Sequence, residues 1–117
     1  MESNKLRIGN IVGSYSGNDF GVVEIIEPGT VHISGREFPD DIRDIFAIKL
    51  NADWLIRLGF NKRSDMNWLH PVSKNLWIRR VKERFDIIHC EALLTSIHYV
   101  HELQNLFSAI TRKELVI

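Results

Sequence analysis

The stretch from Ile97 to Thr111 constrains this chain more than any other. Wound at about 100° per residue, it gathers Tyr99, Val100, Leu103, Leu106, Phe107 and Ile110 into one arc of roughly 120°. His98, His101, Glu102, Gln104, Asn105 and Ser108 fill the opposite side. A stripe of that width has to lie on another layer of structure, so an amphipathic helix over 97–111 implies a partner surface within the fold. Thr95 or Ser96 is placed to cap its start.

The rest of the chain reads as the strands that supply this surface. Arg7 to Ser14 contains Ile8, Ile11 and Val12. The turn-forming run Ser14-Tyr-Ser-Gly-Asn-Asp19 separates it from the β-branched stretch Phe20 to Ile26. Glu27-Pro28-Gly29 is a second turn, and Thr30 to Ser34 a third strand. Gly9, Gly13, Gly17 and Gly21 read as turn glycines in this setting. Residues 35–44, with Pro39, Asp40, Asp41 and Asp44, read as a solvated acidic loop with a brief helical turn, and Phe46 to Leu50 is extended. Short strands joined by tight turns predict a β-rich half over about 5–50, an SH3-like barrel or a small curled sheet.

A short helix follows over 51–59. Asn51 suits its N-cap, Asp53 its first turn, and Gly59 the left-handed residue past its end. Asn67 to Val72, Leu76 to Lys82 and Phe85 to Cys90, running on towards Leu94, are strands. Their links, Ser73-Lys74-Asn75 and Lys82-Glu83-Arg84, are short enough to make neighbours antiparallel. The fold class is therefore α+β. A β-rich N-terminal half is followed by antiparallel strands over 67–94, which carry the amphipathic helix.

With 117 residues, 44% hydrophobic and 26% charged, the chain fits one globular domain, 1–117, with material for one real core. Met1-Glu-Ser-Asn-Lys5 lacks the apolar run of a signal peptide, and no stretch reaches the ~20 apolar residues of a membrane span. Cys90 is the only cysteine, which fits a reducing cytoplasm. Formal net charge is zero but unevenly spread: residues 54–84 hold eight basic and two acidic side chains. A neutral whole argues against strong non-specific binding to nucleic acid, while a local cationic patch remains.

Candidate sites follow from this. His101, Gln104, Asn105 and Ser108 are neutral hydrogen-bonding groups where an exposed helix face would carry charges. They suit either a face satisfied inside the fold or a recognition face for a partner. Lys74, Arg79, Arg80, Lys82 and Arg84 interleave with Trp77 and Phe85. Strand alternation puts Leu76 and Ile78 towards the core and Trp77 with Arg79 outward, so Trp77, Arg79, Lys82 and Arg84 form a candidate nucleic-acid contact. His98 and His101 are three apart, not the four of H-E-x-x-H, and no second cluster completes a metal site. Cys90 beside His89 on a strand would point away from it, as a buried structural thiol. The spacing of Asp40, Asp41 and Asp44 lacks the alternation of a calcium loop. No phosphate loop, nucleophile elbow or C-x-x-C is present. Neither catalytic residues nor a cofactor are expected.

The run Ile97-His-Tyr-Val-His-Glu-Leu-Gln-Asn-Leu-Phe107, with Ser-Ala-Ile-Thr111 and Glu114-Leu115, resembles a family of small uncharacterised proteins of gut-commensal anaerobes and their phages and mobile elements. Members show Tyr-Val-His-(Gln/Glu)-Leu-Gln-Asn-Leu-(Tyr/Phe) before an Ala-Leu-Thr-Gly-Glu-Glu-Leu ending. Leu50-Asn-Ala-Asp-Trp-Leu-Ile-Arg-Leu-Gly-Phe60 and Leu6-Arg-Ile-Gly-Asn10 resemble it too. Arg112 stands where that ending has glycine, which leaves the helix free to run on by a residue or two. The resemblance implies a context and no activity. Together these readings predict a non-enzymatic interaction or accessory module of phage or mobile-element origin, bound to another protein or to itself. The alternative is a weak nucleic-acid-binding module built from the SH3-like half and residues 74–84.

Overall fold

The computed structural model describes residues 1, 5–15 and 20–117, and of residue 74 the backbone alone. The chain is α+β. Strands β1 (Ile11–Ser14), β2 (Phe20–Glu27), β3 (Thr30–Ile33), β4 (Asp40–Asp41) and β5 (Ile45–Phe46) form an antiparallel sheet in the order β4-β3-β2-β1-β5. A 3₁₀ turn, Ile42–Asp44, lies between β4 and β5. Helix α1 (Ala52–Arg57) leads to a second antiparallel sheet of β6 (Asn61–Lys62), β7 (Asn67–His70), β8 (Ser73–Val81), β9 (Arg84–His89) and β10 (Ala92–Ile97), in the order β10-β9-β8-β7-β6. Helix α2 (Val100–Thr111) follows.

Among the described residues two buried clusters form where one was expected. Leu6, Val12, Val23, Val31, Ile33 and Ile45 pack inside the first sheet. The larger cluster joins Trp68, Leu76, Ile78, Phe85 and Ile87 of the second sheet to Trp54 and Leu55 of α1, and to Val100, Leu103 and Phe107 of α2. Strand β1 serves both. Alternation sends Ile11 into the larger cluster and Val12 into the smaller, so all four β1 residues are buried.

The ends of α1 follow the sequence. Asn51 Oδ1 accepts from Trp54 N at 2.9 Å. Past the helix, Gly59 N donates to Ile56 O and Phe60 N to Leu55 O, a Schellman closure that needs Gly59 at φ +91°.

Several sequence expectations are corrected. Thr95 and Ser96 do not cap α2. They extend β10, and Ser96 Oγ donates to Asp86 Oδ1 at 2.6 Å. The helix starts three residues later, at Val100, where Glu102 Oε1 accepts from His98 N and Tyr99 N, both at 3.0 Å. Tyr99, expected on the apolar stripe, sits at the cap position and is 36% exposed. The helix stops at Thr111 without glycine, because Arg112 itself takes the left-handed conformation at φ +59°. The strand from Phe85 does not run on to Leu94: Cys90 and Glu91, at φ +51° and +69°, make a two-residue turn between β9 and β10. Cys90 is therefore exposed, not a buried thiol, and the turn brings its Sγ to 3.8 Å from His89 Nε2.

Gly13 and Gly21 lie within strands, not turns. A Cβ on Gly13 would meet the Phe46 ring, and one on Gly21 would meet Ile33, so both allow close packing. Gly17, like most of the Ser14–Asp19 turn, falls outside the described residues. The acidic loop is also more ordered than expected. Asp40 and Asp41 pair with β3, Ser14 Oγ donates to Asp40, and Asp41 caps the 3₁₀ turn by accepting from Arg43 N.

Candidate functional site

The neutral side of α2 is turned inward, against the segment entering β1. Gln104 is 1% exposed. Its Oε1 accepts from Ile11 N at 2.7 Å, and its Nε2 donates to Gly9 O at 3.0 Å and Leu115 O at 3.2 Å. Asn105 Oδ1 accepts from Arg7 Nε and Asn10 Nδ2. Ser108 Oγ donates to Glu114, whose carboxylate also holds Arg7 through two nitrogens at 2.6 and 2.9 Å. Of the candidate interaction face of His101, Gln104, Asn105 and Ser108, the last three are engaged within the fold, joining α2 to the N-terminal segment and the C-terminal tail. An amide serves because it offers donor and acceptor together to buried backbone groups, at no cost of burying a charge.

His101 differs from its three neighbours. It is 6% exposed, and among the described residues its Nδ1 is the buried side-chain polar atom without a hydrogen-bond partner. Burial pushes its imidazole below the ordinary histidine value, and Lys5 pushes the same way against the pull of Glu102. His70 is also held below its ordinary value by burial, although a hydrogen bond to Leu58 opposes this. Its ring packs edge-on against Phe60 and Phe107, and its Nδ1 accepts from Val72 N.

The candidate nucleic-acid contact is divided by the fold. Leu76 and Ile78 do face the core, both fully buried, and Trp77 on the other face is half-buried. Arg79 and Arg84 converge on Asp86, at 3.4 and 3.1 Å. The Asp86 carboxyl is held below its usual range, first by the Ser96 hydroxyl and then by these two guanidiniums. Both arginines are therefore committed within the sheet. Lys82 lies elsewhere, in the turn between β8 and β9, where its φ is +57°. The sequence signal for Arg79 and Arg84 was their charge. It could not register Asp86, whose cross-strand pairing with Arg79 is a matter of register.

Two clefts meet at Tyr99. One, of about 570 Å³, is lined by Tyr15, Phe46, Tyr99 and His101 together with Lys5, Arg43 and Glu102. The other, of about 430 Å³, is lined by Lys49, Arg80, Lys82, Glu83, Phe85, His98 and Tyr99. The backbone fixes this arrangement. Leu50 N donates to His98 O and Val100 N to Ile48 O, so Lys49 and Tyr99 are bridge partners. Phe46 is Gly13's partner across β1 and β5, and Gly13's missing side chain lets the Phe46 ring lie over the strand. Tyr15 packs on it with ring centroids 4.8 Å apart. The Tyr99 ring stacks on His101 at 6.0 Å and 22°. Lys49, Arg80 and Lys82 are exposed and make no ion pair among the described residues. By contrast Arg7, Arg36, Arg43, Arg79 and Arg84 each hold a carboxylate.

Sequence reasoning missed Tyr15, Phe46 and Lys49. They are 31 residues and more away from Arg80 and Tyr99 in the chain, and the pairing of β1 with β5 and of 48–50 with 98–100 unites them. Among the described residues no three His, Cys, Asp or Glu side chains gather to hold a metal ion, and no helix is long and apolar enough to cross a membrane.

No family model, curated protein or solved structure matches this chain.

Proposed function

We propose that this chain is a non-enzymatic interaction module whose binding surface is the pair of clefts meeting at Tyr99. The observation that carries the reading is the exposure of three rings in one place. Tyr15, Phe46 and Tyr99 are 75%, 37% and 36% exposed, and all three line one cleft. Rings left in water and gathered in a concave site are the common anchors of binding surfaces.

An SH3-like reading of the N-terminal sheet supports it. The order β4-β3-β2-β1-β5, with a 3₁₀ turn before the last strand, suits such a fold, and SH3 domains dock ligands in aromatic-lined grooves. That is likeness of architecture and carries no function alone. The resemblance of the α2 motif supports a phage or mobile-element context, and the single thiol suits a cytoplasmic one. The test is a pull-down with the native chain and a Phe46→Ala/Tyr99→Ala variant, read for both protein and nucleic acid. A macromolecule held by the native chain and lost by the folded variant is the expected result. Equal recovery by both overturns the reading.

A further inference from the structure

We infer that the partner is a single-stranded nucleic acid laid across Tyr99, an inference that rests on the Tyr99 clefts being the binding surface. The two clefts differ in lining. On one side Tyr15, Phe46 and Tyr99 offer ring faces, beside Lys5, Arg43 and Glu102. On the other, Lys49, Arg80 and Lys82 converge from a loop before α1, from β8 and from the β8–β9 turn, without a carboxylate partner among the described residues. Among the residues lining that cleft three cations stand against the one carboxylate of Glu83, an excess of positive charge complementary to an anion. Arg80 Nε donates to Lys82 O at 3.3 Å, which holds the guanidinium beside that turn.

A ligand that carries phosphates and flat apolar groups in alternation matches both the cations on one side of Tyr99 and the exposed rings on the other. A nucleic-acid strand does so. A duplex does not, because its base faces are already stacked on one another. An acidic peptide would meet the cations and leave the rings unused.

The test is fluorescence anisotropy of labelled oligothymidine and oligouridine of about 12 nucleotides in about 20 mM salt, against a duplex of equal length and against polyglutamate. Single strands should bind more tightly than either comparator, with log K falling against log salt at a slope of roughly −2 for three phosphate contacts. Tyr99→Ala should weaken binding about tenfold and leave that slope in place, whereas Lys82→Glu should make it shallower. Tyr15→Ala removes a largely exposed ring outside the two cores, and carries the same expectation should Tyr99→Ala fail to fold. Absence of single-strand binding, duplex or polyglutamate binding of equal strength, or indifference to loss of the rings would overturn the inference. If the pull-down instead yields a protein that depends on Phe46 and Tyr99, and oligonucleotides do not bind, this inference falls and the binding surface stands.

Discussion

Gln104 shows what one side chain can decide. Its amide ties Ile11 N, Gly9 O and Leu115 O to the middle of α2, so a leucine of similar size would deprive three backbone groups of their partner, those of Ile11 and Leu115 in buried surroundings. Gln104→Leu should cost roughly 2–4 kcal/mol in urea unfolding, since each orphaned buried group costs about 1 kcal/mol or more. A loss below about 0.5 kcal/mol would mean that the amide is replaceable by packing alone. The neutrality of this helix face was legible in the sequence. What it faced was not, because amides suit a buried joint and a recognition surface equally. His101 and His70 make a second residue-scale case. Both are held below the ordinary value of 6.5 when folded, so between the folded and unfolded values the unfolded chain binds more protons. Their stabilising contribution is complete above about 6.5 and is lost as pH falls through the folded values. Thermal melts should therefore show Tm falling between about pH 7.5 and 5, and His101→Gln should flatten part of that slope. A Tm constant or rising towards acid would contradict the assignment.

At the scale of elements, local chemistry fixed α1 and left α2 ambiguous. Asn51 and Gly59 mark the limits of α1 because a cap and a left-handed exit are written in adjacent residues. For α2 the hydroxyls of Thr95 and Ser96 looked equally good, yet pairing with β9 claims them for β10, and Glu102 closes the helix start from within. The β9–β10 turn was hidden for a related reason: Cys90-Glu91 carries no turn signal, and tertiary pairing imposes the positive φ on both residues. Asp86 explains why two basic residues of the second sheet are structural. It is buried between Arg79, Arg84 and Ser96, so Asp86→Ala removes three bonds and releases two cations. That change should lower stability by about 1–3 kcal/mol in urea unfolding. It should also raise non-specific affinity for polyanions at low salt. An unchanged stability would show that the cluster is a surface pairing of little weight.

For the whole molecule, the sequence disclosed the α+β class and the antiparallel pairing of neighbours over 67–94, and missed the strand order and the division of the described interior into two clusters. Length bounds how much can be buried. The alternation of β1 between two partners decides how that material is shared. Since β1 and the polar side of α2 belong to both halves, the chain should unfold as one unit. Melts followed by tryptophan fluorescence, which reports on Trp54 and Trp68 in the larger cluster and on the half-buried Trp77 of β8, should coincide with melts followed by far-ultraviolet circular dichroism. Two separated transitions would mean that the sheets are independent. The binding surface belongs to this scale too, since its residues come from the N-terminal sheet, the loop before α1, the β8–β9 hairpin and the start of α2. The most direct measurement is an amide nitrogen–proton spectrum of the labelled chain titrated with oligothymidine. Shifts should concentrate at Tyr15, Phe46, Lys49, Arg80, Lys82 and Tyr99. Shifts centred instead on Trp77, Arg79 and Arg84, on the outer face of the second sheet, would contradict the account.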